Sequence, residues 1–77
     1  MNFNSDFSFN FGKDSEIYFK LLKEEDFDFK TKNIVFDIFR KGESVNVGLS
    51  CDNVLDLKIG VNALIKSLEV IEKTLNL

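Results

Sequence analysis

Four phenylalanines at the start of the chain do most to constrain the fold. Phe3, Phe7, Phe9 and Phe11 share one parity, and Asn4, Asp6, Ser8 and Asn10 hold the other. Only an extended strand sends successive side chains to opposite faces, so this period of two predicts a half-buried strand with a wet outer surface. Gly12 ends it. Asp14 is placed to cap a following helix, whose apolar positions Ile17, Tyr18, Leu21 and Leu22 recur at helical spacing as far as about Glu24. Glu16 and Lys20 make a favourable i,i+4 pair on its wet side.

Residues 25–32 carry Phe27 and Phe29 within a charged stretch, and either a strand extension or a loop that tucks two rings under the sheet accommodates them. A second strand is expected from Asn33 to Phe39, with Ile34, Phe36 and Ile38 inward, then a turn through Arg40, Lys41, Gly42 and Glu43. The third strand places Val45, Val47, Leu49 and Cys51 inward and Ser44, Asn46, Gly48 and Ser50 outward. The last and longest element is a helix from Val54 to Leu75, started by Asp52 or Asn53 as N-cap. Leu57, Val61, Leu64, Leu68, Ile71 and Leu75, with Ile65 beside them, form its sheet-facing stripe. The whole chain, 1–77, therefore reads as one α+β domain of order β-α-β-β-α, a three-stranded antiparallel sheet with two helices on one face.

At 77 residues the core is thin, because only about 60% of the unfolded chain's surface is buried at this size. Nine Phe compensate. No His is present and Cys51 is the only cysteine, which excludes a disulfide framework and the usual zinc sites within one chain. Neither a membrane-spanning run nor a signal-peptide pattern is seen, so a cytoplasmic location is expected. Net charge of −3 disfavours a stand-alone grip on nucleic acid.

Chemistry finds little to work with. Cys51 lies on an inward parity and reads as a buried structural thiol, Asp26 and Asp28 read as a solvated turn, and the glycines form no phosphate-binding pattern. No catalytic residue, cofactor or metal site is assigned. The strongest signal lies on the terminal helix. At about 100° per residue, Ile59, Ala63 and Val70 fall roughly 160–200° from the main stripe, with the small residues Gly60, Ser67 and Thr74 between. Such a seam admits a second helix, either the domain's own first helix or one from a partner. Its lining, Ile59, Gly60, Ala63, Lys66, Ser67 and Val70, is the candidate partner-binding set. Lys58, Asn62, Lys66, Glu69 and Lys73 form a solvated face. The unpaired sheet edges invite a strand from another copy.

The element order, and the run from Asn53 to Lys66, resemble the small Pcc subunit of the KEOPS complex. In that family the last helix opens with Asp and carries Leu-Arg, then Leu-Asn-Ser, then Leu-Arg. Here Leu57-Lys58, Val61-Asn62-Ala63 and Ile65-Lys66 stand in those places, with Asn53 at the opening position. Both Arg positions are Lys, which keeps the charge and loses the bidentate fork.

The resemblance implies a non-enzymatic accessory subunit of the complex that makes the threonylcarbamoyl modification of tRNA (t6A). Its implied partners are the catalytic threonylcarbamoyl-transferase subunit and a dimer mate, either itself or a related small subunit, with tRNA engaged only indirectly. A divergent paralogue that caps the standard subunit fits the same residues. The competing reading from another class is a small RNA-binding α+β module.

Overall fold

The computed structural model describes residues 2–25 and 33–76. It is an α+β fold in which strand β1 (Phe3–Asn10), helix α1 (Ser15–Glu24), strands β2 (Val35–Lys41) and β3 (Ser44–Cys51) and helix α2 (Val54–Leu75) follow in that order. The sheet is antiparallel with β3 in the centre, in the order β1-β3-β2. Phe27, Phe29, Asp26 and Asp28 lie outside the described residues.

The central position of β3 follows from its side chains. Val45, Val47, Leu49 and Cys51 are all buried to within 2% of completely. Short, mostly branched groups let two helices sit close above the middle strand, while the larger Phe rings go to β1. Phe7 and Ile38 flank Val47 in register, as Phe9 and Arg40 flank Val45. Along β1 the rings of Phe7, Phe9 and Phe11 stack in sequence, and Phe11 meets Tyr18 of α1 at 3.8 Å between centroids.

Two junctions differ from expectation. Arg40 and Lys41 belong to β2, so the hairpin turn is Gly42 and Glu43 alone. Gly42 has φ +61, and among the described residues no other than glycine has positive φ; a glycine at the first turn position is the pattern of a type II′ turn. Asp14 occupies the expected N-cap position, but its side chain makes no capping bond. A single 3-10 turn, Gly12–Asp14, leads into α1 instead. Its Gly12 N–H reaches Asn10 Oδ1 at 2.9 Å, and Asp14 N–H reaches the Phe11 carbonyl at 3.1 Å. The buried Ser15 then ties α1 to the hairpin by donating to the Gly42 carbonyl at 3.2 Å.

Helix α2 begins on Asn53. Its Oδ1 accepts from Asp56 N–H at 2.8 Å, and its amide donates to the Asp56 carboxylate at 3.1 Å. Asp52 is engaged elsewhere, accepting from Asn33 at 2.9 Å. Replacing Asn53 with Ala leaves the Asp56 N–H without its cap, and the expected loss is about 1–2 kcal/mol. Urea unfolding with an unchanged m-value and a lowered midpoint is the signature; an unshifted midpoint refutes the cap.

The face that α2 turns to the sheet is a correction. Asp56, Gly60, Leu64, Ser67 and Ile71 are its buried residues. They are centred on the small side chains and not on the expected leucine stripe, a rotation of roughly 60° at about 100° per residue. Leu57, Val61, Leu68 and Leu75 are half-buried along one flank and Ile65 is 48% exposed. The cause is close approach: a Cβ on Gly60 would lie 2.9 Å from Leu49 Cδ1 and 3.4 Å from Ile34 Cγ2. A helix settles lowest where its ridge is lowest, and its larger side chains then straddle the contact line.

Helix α1 shows a smaller discrepancy. Leu22 is fully buried and Tyr18, Phe19 and Leu21 are half-buried, but Ile17 is 43% exposed, grouped with Lys13, Glu16 and Lys20.

Candidate partner-binding surface

Rotation of α2 divides the sequence-derived seam in two. Gly60 and Ser67 face the domain's own sheet and cannot line a groove for a partner. Of the remainder, Ile59 and Ala63 are half-buried, while Lys66 and Val70 are exposed, Val70 by 61%. These four step by 4, 3 and 4 residues along one flank, so the structure keeps them together as a strip. Leu57 is half-buried on the opposite flank; Lys58 and Asn62 are exposed on the solvated face with Glu69 and Lys73.

Where the strip meets α1 it becomes concave. Leu21 and Glu24 from α1, Glu25 just past its end, and Val70, Ile71 and Thr74 from α2 line a groove of about 290 Å³. Thr74 donates its hydroxyl to the Val70 carbonyl at 2.9 Å, which keeps that polar group off the apolar floor. Carboxylates of Glu24 and Glu25 border one side and the Lys66 ammonium lies further along the strip. The groove thus offers an apolar floor with an acidic rim and a basic neighbour, an arrangement suited to an amphipathic helix with charges beside its apolar face.

Sequence reasoning missed other exposed apolar groups. Val54, Leu55 and Ile65 are 64%, 62% and 48% exposed. Their period fits a helix, and a hydrophobic stripe is read as core by default; the signal that they were surplus was the small residues at 60 and 67, which mark where the sheet approaches.

Cys51 and Tyr18 both sit in structural settings. Cys51 is 2% exposed and its thiol points to the Asn53 carbonyl at 3.5 Å. Burial raises the Tyr18 phenol above its ordinary pKa, with Glu72 and Asp14 adding to the effect, so it stays protonated at neutral pH. Among the described residues no group of three or more His, Cys, Asp or Glu could hold a metal ion, and no helix is long and apolar enough to cross a membrane.

The outer face of the sheet presents Asn4, Asp6, Ser8 and Asn10 on β1, then Ser44, Asn46, Gly48 and Ser50 on β3, then Val35, Asp37, Phe39 and Lys41 on β2. Asp6, Gly48 and Asp37 stand in one row across the strands. One aromatic ring, Phe39 at 50% exposure, is offered there beside two carboxylates. Stacking of single-stranded RNA on a sheet needs rings in a basic setting, and this face has the opposite charge. No family model, no curated protein and no solved structure gives a match to this chain.

Proposed function

We propose that the chain is a non-catalytic accessory subunit of a KEOPS-type complex for t6A modification of tRNA. On this reading it packs helix to helix against the catalytic threonylcarbamoyl-transferase subunit and associates with itself or with a related small subunit. The observation that carries the reading is the strip of Ile59, Ala63, Lys66 and Val70 beside the α1–α2 groove, an apolar helical surface left open by the domain's own packing. The resemblance of Leu57-Lys58, Val61-Asn62-Ala63 and Ile65-Lys66 to the Pcc pattern supplies the name of the assembly.

Co-expression with the transferase subunit tests it. Val70→Asp combined with Lys66→Glu changes only exposed side chains, so the isolated fold is expected to survive. A desolvated carboxylate in an apolar interface should weaken the complex by about a hundredfold or more, enough to prevent co-purification. An undiminished complex removes the strip from the interface. Titration of tRNA at moderate salt addresses the competing class: tight binding by the isolated acidic chain would favour an RNA-binding module.

A further inference from the structure

We infer that the outer face of the sheet holds a site for a guanidinium group, over Gly48 and between Asp6 and the Phe39 ring, and that the group is an arginine side chain of a polypeptide partner. This goes beyond the proposed function and shares no residue with the strip on α2, so the two readings fail separately.

Gly48 is the position that needs explaining. It lies in the middle of the central strand, paired with Asp6 on one side and Asp37 on the other, and the register runs through it without a bulge. Its φ is not positive, and a Cβ built on it would meet no atom closer than 3.4 Å. Neither backbone strain nor the domain's own packing therefore requires glycine here. Glycine inside a strand weakens it, and where there is no bulge or tight bend it marks close approach by a ligand or another backbone.

The missing side chain leaves a depression of about 280 Å³, which Asp6, Ser8, Phe39 and Asn46 surround. An Asp6 carboxylate oxygen hangs over its floor, 3.4 Å from the point a Gly48 Cβ would occupy, and Asp37 Cβ stands 3.8 Å from the same point. Phe39, 50% exposed, supplies an aromatic wall. A ring face carries partial negative charge, so the ring and the carboxylate both select a cation.

No cation of the domain fills that role. Among the described residues neither Asp6 nor Asp37 has an ion-pair partner. Lys41 is the one basic residue among the outward positions of the three strands, and it lies four residues along β2 from Asp37, about 13 Å away. Arg40 has the opposite parity and donates to Ser15 and to the Gly42 carbonyl. The two aspartates themselves are about 10 Å apart across β3, within roughly one Debye length, so a cation between them relieves mutual repulsion.

Geometry favours guanidinium over ammonium. A planar guanidinium stacks on a ring and at the same time donates from its edge to a carboxylate, whereas an ammonium is a compact, strongly hydrated point charge. Size and strength favour a polypeptide as its carrier. The depression falls just short of the roughly 300–1,000 Å³ of pockets that enclose free ligands. Each contact at so open a site strengthens binding only about two- to fivefold, so a lone head group is held weakly. The neutral hydroxyls and amides around it, on Ser8, Asn46, Asn10 and Ser44, offer a peptide backbone hydrogen bonds without a competing charge.

NMR titration of the intact chain tests the site. The probe is acetyl-Gly-Arg-Gly-amide at up to about 50 mM, a range suited to contacts this weak, read against equimolar sodium chloride. The amides of Asp6, Asn46 and Gly48 and the Phe39 ring protons should move, and the lysine counterpart should move them about threefold less. Phe39→Leu and Asp6→Asn should each reduce the response about two- to fivefold. Gly48→Thr fills the depression with a good strand former and should abolish the response while the remaining amide spectrum stays native. The Phe39 and Asp6 variants decide the question even if the Thr variant does not fold, since both change exposed side chains. Shifts no larger than those from salt overturn the site, as does an undiminished response in both Phe39→Leu and Asp6→Asn. An equal response to the lysine peptide overturns the selection of guanidinium, and an equal response to ethylguanidinium, which has no backbone, overturns the polypeptide carrier.

Discussion

Gly60→Trp is expected to yield a chain with no cooperative unfolding transition. Gly60 is buried on α2, and even a methyl group there would stand 2.9 Å from Leu49 Cδ1 and 3.3 Å from Leu49 Cδ2. Leu49 is 1% exposed, so its side chain has little room to retreat. Overpacking by one or a few methylenes costs about 1–3 kcal/mol, and an indole is far larger than that. Its accommodation requires α2 to lift from β3, which uncovers Leu64 and Ile71 together with Val47 and Leu49. Total stability at this length is only about 4–12 kcal/mol. The expected result is a collapsed NMR amide spectrum and loss of near-UV CD with part of the far-UV signal retained.

A milder substitution measures the same contact. Gly60→Ala gains up to about 1 kcal/mol of helix propensity and loses about 1–3 kcal/mol to crowding, for a net loss of about 0–2 kcal/mol. Leu49→Val should recover part of it, with a coupling above about 0.5 kcal/mol in a double-mutant cycle. A well-dispersed native spectrum for Gly60→Trp would show that this face of α2 is open after all. Loss of a partner complex in that variant would therefore report unfolding, which is why Val70 and Lys66 are the informative positions for docking.

Gly60 also marks the boundary of what sequence pattern can convey. The alternations in β1 and β3, the bounds of α2 and the element order were legible because each rests on local periodicity or a local cap, as Asn53 illustrates. The rotation of α2 was not, since it depends on which face meets Leu49 and Ile34, residues remote in sequence. Amphipathic analysis weights large apolar groups and so favoured the stripe of Leu57, Val61 and Leu68. Close packing favoured the low ridge of Gly60 and Ser67 instead, leaving the larger groups half-buried on its flank. Ile17 illustrates the same competition on α1, where Phe19 packs against the core cluster and Ile17 is left with charged neighbours. At Asp14, a local propensity for capping gave way to a 3-10 turn anchored by Asn10 and Phe11.

Leu22→Ala separates the stability of α1 from that of the sheet and α2. Leu22 is the one fully buried apolar side chain on α1, with 0% exposure, and it shares a core cluster with Ile38, Val45, Val47, Leu64 and Ile71. A helix of ten residues is too short to persist by its own hydrogen bonds, so its formation depends on that anchor. Truncation of a buried Leu costs about 2–5 kcal/mol, the upper values applying where neighbours cannot collapse into the space. Here a loss of about 4 kcal/mol is expected, since Val45 and Val47 are held on the central strand and cannot move inward. That corresponds to about a thousandfold rise in the unfolded fraction. Ile17→Ala, at a position 43% exposed, should cost under about 0.5 kcal/mol and serves as the control. Hydrogen exchange then distinguishes two routes: α1 amides exchanging faster than those of α2 and β3 indicate local detachment, and uniform acceleration indicates global unfolding. Local detachment also removes Leu21 from beside Val70, so the variant should lose a helical partner that never touches residue 22. Unchanged stability in Leu22→Ala would mean that α1 is held by its half-buried rings, Tyr18 and Phe19, and that the anchor has been misassigned.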